Sequence, residues 1–159
     1  MWYITDMHIH KKNKLEDYLD NLREIPRVSL FHIGAIIINE EDRQIILKTI
    51  ESKEIPVFDT DNNYPDIILK DLIELLENGK GAILNIIKEN LPGKILNQLH
   101  NLSCGRGLID VQLDGEEQRK ILNPVPDGGF VVLLMNNDYY ENSILGDTVV
   151  SFCNLTRQI

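Results

Sequence analysis

Hydrophobic and polar residues follow strand-like and helix-like periods in turn along the first half of the chain. Residues 2 to 9 have the pattern of a strand, and Asn13 then stands where the N-cap of a helix is expected. The apolar positions of that helix recur at i, i+3, i+4 and i+7, at Leu15, Tyr18, Leu19 and Leu22. Pro26 predicts the end of the helix, because proline disrupts a helix interior.

Two further pairs of a strand and a helix follow. Residues 28 to 38 form a nearly continuous apolar run, and acidic residues after Asn39 are typical of the first turn of a helix. Residues 55 to 59 predict the next strand, and Pro65 the first residue of a helix that stops at Gly79. This order of strands and helices predicts right-handed crossovers onto a parallel sheet.

The second half of the chain changes character. After a helix near residues 93 to 101, strands are expected at 108 to 113, 129 to 136 and 147 to 155, separated by turn-forming residues. These strands could extend the same sheet or form a small separate layer. Because no linker rich in Pro, Gly or Ser divides the halves, we expect one compact α/β domain over residues 1 to 159. Its N-terminal βαβαβα half would lie on a parallel sheet, and its C-terminal half would add mainly antiparallel strands.

Composition narrows the classes of function. The 159 residues carry a formal charge of −9, which disfavours general nucleic-acid binding because phosphate backbones are repelled. Cys104 and Cys153 are far apart in the sequence and suggest neither a disulfide framework nor a cysteine zinc site, so a reducing cytoplasm is expected. No apolar run is long enough to predict a membrane span.

The stretch Asp6-Met7-His8-Ile9-His10 is the sharpest chemical pattern. On a strand, alternate residues share a face, so Asp6, His8 and His10 would project together and supply part of a zinc, manganese or iron site. The stretch resembles the D-x-H-x-H signature on the first strand of the amidohydrolase and PHP families of metal-dependent hydrolases. That resemblance covers about five residues and implies further ligands on later strands, whereas only His32 and His100 remain here. His32 lies in an apolar run, where a hydrogen-bonded core histidine is expected.

A second candidate metal site follows the strand at residues 55 to 59. Asp59 and Asp61 could bind Mg²⁺ through oxygen at the carboxyl end of that strand, where ligands of parallel α/β sheets usually lie. The favoured alternative is that these residues form a turn and a helix cap. If the first three predicted strands are parallel, Asp6/His8/His10, Asn39/Glu40 and Asp59/Asp61 would approach one edge of the sheet.

The remaining sequence patterns give weaker predictions about function than the two candidate metal sites. Neither Gly79-Lys80-Gly81 nor the segment from Pro92 to Ile95 fits the phosphate-binding P-loop. Tyr139 and Tyr140 could either anchor a partner or cover the edge of a core. The strand at the carboxyl terminus of this sequence could be a sheet edge through which a homodimer forms.

Two functions of different classes remain open on the sequence. The first is an acidic, cytoplasmic α/β binding or regulatory module, without catalytic activity, that recognises a protein partner or a small ligand at the carboxyl edge of the sheet. The second is a metal-dependent hydrolase with Asp6, His8 and His10 as ligands and Asp59 or Asp61 as a further ligand or base. The first is preferred because no complete catalytic set of residues can be assembled.

Overall fold

A computed structural model describes most of the chain, in the ranges 2–25, 31–61, 64–87, 91–103, 108–122, 129–142, 153 and 155–159. Within these ranges the helices are α1 (Trp2–Glu24), α2 (Arg43–Ser52), α3 (Pro65–Glu77), α4 (Gly93–Ser103) and α5 (Asn137–Asn142). The strands are β1 (His32–Ile38), β2 (Val57–Asp59), β3 (Gly81–Asn85), β4 (Leu108–Leu113), β5 (Glu116–Ile121), β6 (Phe130–Asn136) and β7 (Leu155–Gln158). A 3-10 turn, Glu40–Asp42, leads into α2.

Five of these strands form one parallel sheet in the order β2-β3-β6-β1-β7. Its centre is the pair β1 and β6, whose register runs from His32 opposite Phe130 to Ile38 opposite Asn136. Both central strands are almost entirely buried. Strands covered on two faces are expected to be apolar throughout, which explains the uninterrupted hydrophobic runs in the sequence.

Helices cover both faces of the sheet. Ile36 and Ile38 of β1 pack with α1 and α2, through buried residues that include Leu15, Tyr18, Leu22, Ile46 and Ile50. Ile33, Ala35 and Ile37 point the other way and pack with α3 and α4, through residues that include Ile68, Leu72, Leu76, Ile95 and Leu99. The fold therefore has three layers, and the connection after β1 runs on the opposite face from those after β2 and β3.

Strands β4 and β5 form a separate antiparallel hairpin on the α3 and α4 side. Its turn residues Asp114 and Gly115 have φ of 52° and 82°, and two successive positive values fit a type I′ turn. Val111 of the hairpin is buried in the core beside α4. The amide of Asp110 donates to Gln98 Oε1 at 2.7 Å, and that of Gln112 to Asp66 Oδ1 at 2.9 Å. The hairpin is thus fixed to both helices.

The α/β class predicted from the sequence is confirmed, and so are the helices near 39–50, 65–79 and 93–101. The strand predicted at residues 2 to 9 is wrong, because α1 runs without a break from Trp2 to Glu24. No Gly or Pro separates the two segments, so nothing in the sequence stops the helix from extending toward the amino terminus. Asn13 is an exposed residue within this helix and does not cap it.

Among the described residues of the C-terminal half, the expected antiparallel pairing is found in the hairpin of β4 and β5. Strands β6 and β7 join the main sheet in parallel, and β6 lies in its middle. The prediction did not include β3, β5 or α5, and it placed a turn where α5 begins. Most of the strand predicted at 147 to 155 lies outside the described residues, and β7 begins at Leu155. Since β7 is an edge of the sheet, a homodimer formed through the last strand stays a prediction.

None of the helices in the described ranges combines the length and apolar character needed to cross a membrane.

Candidate functional site

The carboxyl ends of the four strands β1, β2, β3 and β6 lie at one edge of the sheet, and each is followed or ended by a polar residue. These residues are Glu40 after β1, Asp59 on β2, Asn85 on β3 and Asn136 on β6. Parallel α/β sheets usually bind ligands at this edge. A ligand site is therefore expected at this edge.

Arg43 links these four strand ends. Its side chain is about 6% exposed, and its Nε and Nη2 donate to the carboxylate of Glu40, the latter at 3.2 Å. Its Nη1 donates to Asn85 Oδ1 at 2.6 Å, and Asn85 Nδ2 donates in turn to Asp59 Oδ1 at 2.8 Å. Asn136 Nδ2 approaches Glu40 Oε1 at 3.5 Å. We call the residues Glu40, Arg43, Asn85, Asp59 and Asn136 the polar chain.

The local sequence directs Arg43 inward. Arg43, Ile46 and Ile50 follow the i, i+3, i+7 spacing of the buried side of α2, so the arginine occupies a core position at the end of the helix that lies over the sheet edge. The preceding 3-10 turn is held by Asp42, whose amide donates to the Asn39 carbonyl at 2.9 Å. The Asp42 carboxylate forms an ion pair with Lys11 of α1 at 3.2 Å. These contacts fix where α2 begins.

All three guanidinium nitrogens of Arg43 are engaged by Glu40 and Asn85. Three of its five N–H donors are thus used within the protein, and they hold the guanidinium in place. Its role in the polar chain is to hold the strand ends together, as a planar donor can when it meets a carboxylate through two nitrogens.

A cleft opens between the adjacent strands β1 and β6, beside the polar chain. The chain leaves β1 toward the α2 face and leaves β6 toward the opposite face, where Tyr139 packs in the core with α3 and α4. This reversal is a topological switch point, the position at which doubly wound sheets bind ligands. The cleft has a volume of about 270 Å³ and is lined by Asn39, Glu40, Glu41, Asn136, Asn137 and Asp138. We call it the switch-point cleft.

Hydrogen bonds between side chains hold the walls of this cleft. Asn137 Nδ2 donates to Asn39 Oδ1 at 2.5 Å, which joins the segments after β1 and β6. Gln158 Nε2 of β7 donates to Asn137 Oδ1 at 2.9 Å. Asn136 Oδ1 accepts from the amide of Tyr139 at 2.8 Å. The cleft is therefore preorganised by residues from three neighbouring strands.

The switch-point cleft is acidic. Glu40, Glu41 and Asp138 are exposed carboxylates, and none of the described residues that line the cleft is basic. Hydrogen bonding from Arg43 lowers the pKa of Glu40 below its usual value of 4.5 despite some desolvation, so this carboxylate is ionised at neutral pH. Phosphate sites present glycine-rich backbone and cations at this position of a sheet, whereas this cleft presents negative charge. A cationic group is the better match.

The structure joins two of the three strand ends that the sequence predicted to converge. Glu40 and Asp59 belong to one polar chain, although Arg43 and Asn85 mediate the link and no metal is needed to explain it. Asp61 is half-buried, and its Oδ1 is buried without a hydrogen-bond partner in the described part of the chain. Asp59 and Asp61 as metal ligands remain a prediction.

Asp6, His8 and His10 do not share a strand face, because all three lie in α1. At about 100° per residue, positions 6 and 10 fall on one side of the helix and position 8 lies about 200° from each. The geometric basis for the metal site is therefore lost, and the assignment of its ligands stays a prediction. Among the residues that the structure describes, no group of three or more His, Cys, Asp or Glu side chains is placed to hold a metal ion.

Other predicted residues prove to be part of the core. His32 is buried and its Nε2 donates to the Ile25 carbonyl at 2.8 Å, as expected for a core histidine. Tyr139 is 1% exposed and Tyr140 packs against the same core, so the tyrosines cover a core edge. Burial raises the pKa of the Cys153 thiol to about 12, which makes it a poor nucleophile at neutral pH. Cys104 lies outside the described residues.

The sequence prediction missed Arg43, Asn85 and Asn136. A signal for Arg43 was present, since a charged residue in register with Ile46 and Ile50 on the buried side of a helix requires a buried partner. Asn85 and Asn136 had weaker signals, as polar residues that end apolar runs.

Comparison with known proteins does not assign the chain to a family. No model of a protein family and no curated protein sequence matches this chain significantly.

The pKa of Glu40 leads to a prediction about acid stability. Because this pKa is lower in the folded than in the unfolded chain, the pairing with Arg43 stabilises the fold above about pH 4.5 and is lost as the pH falls below that value. The Glu40 side chain is 57% exposed, so we expect Glu40→Gln to cost less than about 1 kcal/mol at pH 7. Urea unfolding at pH 7 and pH 3 should show the difference between wild type and Glu40→Gln shrinking in acid. Glu41→Gln is the control, and an equal pH dependence for both variants would contradict the prediction.

Proposed function

We propose that this protein is a non-catalytic α/β binding module whose switch-point cleft takes the cationic group of a small ligand, such as a primary amine or a guanidinium. The observation that carries the proposal is the acidic, preorganised cleft at the switch point of the sheet. Ligands of such folds bind there, and the charge of the lining selects their sign. The proposed site of action is the cytoplasm, in line with the low cysteine content.

Three features support recognition of a cation over an anion. Glu41 and Asp138 are exposed and have no ion pair among the described residues, so each can approach a cation without first losing a partner. Each amide oxygen along the walls already accepts one hydrogen bond and has a second lone pair that can accept another from an N–H group. The guanidinium nitrogens of Arg43, the cation of the adjoining polar chain, already donate to Glu40 and Asn85. The volume of about 270 Å³ fits a small group better than a large cofactor.

Two observations support a binding role over catalysis. The guanidinium nitrogens of Arg43 donate to Glu40 and Asn85, as expected for a residue that holds the strand ends together. Cys153 is partly buried, and the raised pKa of its thiol keeps it protonated at neutral pH. No observation among the described residues favours the metal-dependent hydrolase, and measurement of bound metal by mass spectrometry remains its direct test.

The proposed function is tested with defined probes. Agmatine and 1,5-diaminopentane should raise the melting temperature of the wild-type protein, whereas inorganic pyrophosphate should not, because a ligand stabilises only the state that it binds. The double variant Glu41→Gln/Asp138→Asn should reduce the shift with the diamines by at least half. The control Glu51→Gln/Glu54→Gln removes the same charge away from the cleft and should respond as wild type. Stabilisation by pyrophosphate, or an equal response of both double variants to the diamines, would refute the proposal.

A further inference from the structure

Strand β2 is an edge strand, at the opposite side of the sheet from β7. A groove lies on each of its two faces. One groove, of about 500 Å³, lies on the α2 face, and its apolar floor consists of Leu47, Ile55 and Val57. The other, of about 330 Å³, lies on the α3 face, with Phe58 and Leu75 in its floor. The two grooves meet at Pro56. We call β2 and both grooves the β2 edge surface.

The apolar floor of this surface is only half-buried. Leu47, Ile55 and Val57 pack against one core cluster, and Phe58 and Leu75 against the other, but each retains exposed area. Edge strands are usually protected by charge or by a covering element. Half-exposed apolar side chains on both faces of one edge strand are therefore consistent with a surface that another chain covers.

Carboxylates surround these floors. Glu51, Glu54 and Asp59 line the groove on the α2 face, and Asp71 and Glu74 line the groove on the α3 face. Lys80 is the basic residue of the second groove. Glu51, Glu54, Asp71 and Glu74 form no ion pair within the described part of the chain. A partner that supplies cations would meet carboxylates that are not already neutralised.

Some backbone N–H and C=O groups of β2 face β3, and others are open to a strand that a partner adds beside β2. The carbonyl of Pro56 accepts from Ile83 at 2.9 Å, and the amide of Thr60 donates to Asn85 at 3.1 Å, so alternate peptide groups face β3. Val57 follows Pro56 in this alternation. Its N–H and C=O therefore point away from β3, toward the open side of the edge strand. An added strand would place successive side chains on opposite faces, and therefore alternately in the two grooves.

We infer that the β2 edge surface docks an extended, basic segment of a partner protein, which adds to the sheet beside β2. Apolar side chains of the segment enter the grooves and its lysines or arginines pair with the surrounding carboxylates. Because β2 has only three residues, the grooves and the charge contribute more to affinity than the backbone hydrogen bonds. This surface is distinct from the switch-point cleft and does not depend on the ligand proposed for it.

The probe is a short acetylated and amidated peptide of alternating valine and lysine, labelled for fluorescence anisotropy. It should bind the wild-type protein, and the affinity should fall as salt is added, because exposed charge pairs are screened. An analogue with glutamate in place of lysine should not bind. Methylation of backbone nitrogens on alternate residues should weaken binding for one of the two possible sets, namely the set that faces β2.

Variants of the protein locate the contact. Glu51→Gln/Glu54→Gln/Glu74→Gln should weaken binding about tenfold, since three exposed charge pairs, each of modest strength, are lost together. The matched control Glu24→Gln/Glu116→Gln/Glu141→Gln removes the same charge from other exposed positions and should bind within about twofold of wild type. Equal losses in both triple variants would mean that only net charge matters and would overturn the inference. It would also be overturned if the peptide does not bind the wild-type protein. Self-association of the wild-type protein that the first triple variant abolishes would then identify a second copy as the chain that covers the surface.

The switch-point cleft provides an independent check. Glu41→Gln/Asp138→Asn should bind the peptide as wild type does, whatever its response to diamines. If this double variant instead loses the peptide while the β2 triple variant keeps it, the docking surface is wrong and the cleft is the peptide site.

Discussion

Replacing Gly34 by alanine is expected to lower the free energy of unfolding by about 3 kcal/mol, the largest effect that we predict for a single substitution. A Cβ at position 34 would lie 2.0 Å from Tyr18 Oη and 3.1 Å from Tyr18 Cζ. Tyr18 is fully buried, and its hydroxyl donates to the Leu155 carbonyl at 2.9 Å. Burial raises the pKa of Tyr18, so the hydroxyl keeps its proton and remains a donor. The methyl group would displace the ring and break the bond between α1 and the segment that forms β7.

A second substitution, Tyr18→Phe, tests whether the contact with the Tyr18 hydroxyl causes the loss of stability. In the wild-type background Tyr18→Phe should cost about 1 kcal/mol, because the Leu155 carbonyl loses its donor. In the Gly34→Ala background the same change should be stabilising, because it removes the atom that the methyl group meets first. Gly93→Ala is the control for the glycine itself: a Cβ there meets nothing within 4 Å, and we expect no loss of stability. Additive effects of Gly34→Ala and Tyr18→Phe in urea unfolding would show that the contact is not the cause.

Replacing Arg43 by methionine is expected to lower the free energy of unfolding by about 2 kcal/mol. The change leaves the buried Asn85 Oδ1 without its donor at 2.6 Å, which costs about 1–3 kcal/mol. Glu40 also loses its partner, but it is largely exposed and this adds little. The removal of a buried charge offsets part of the loss, because the guanidinium no longer has to be desolvated.

The control for Arg43→Met is Lys48→Met, which makes the same kind of change at an exposed position of α2 and should alter stability by less than about 0.5 kcal/mol. A double-mutant cycle with Asn85→Ala should give a coupling of about 1 kcal/mol or more, since the two side chains are in direct contact. If Arg43→Met were as stable as wild type and uncoupled from Asn85, the polar chain would not contribute to holding the strand ends. Denaturant unfolding of wild type, the two single variants and the double variant of the cycle, and Lys48→Met measures both the loss of stability and the coupling.

The sequence by itself determined the helices and strands wherever a local pattern was compatible with only one type of secondary structure. Leu15, Tyr18, Leu19 and Leu22 were predicted as a buried stripe and are buried, because a 3.6-residue period can be satisfied only by a helix. Pro65 and Gly79 marked the ends of α3 correctly for a similar reason, since both restrict or permit particular backbone angles locally.

Local pattern was ambiguous at residues 2 to 9. Short stretches of mixed apolar and polar residues fit a strand or a helix equally well, and the choice was made by continuity with the helix that follows. With that choice the common face of Asp6, His8 and His10 disappeared. The same limit applies to β6, whose apolar run was recognised as a strand but whose parallel place between β3 and β1 depends on distant partners.

Only the tertiary structure decided where the candidate site lies. The polar chain joins residues up to 96 positions apart, such as Glu40 and Asn136, and the switch-point cleft exists because two adjacent strands send the chain to opposite faces. Strand order and crossover direction are set by the packing of whole layers, which no single stretch of residues encodes. The sequence therefore determined which segments are helices and strands in most of the chain and that the protein is acidic, whereas the meeting of Arg43, Asn85 and Asp59 followed from the order in which the strands assemble.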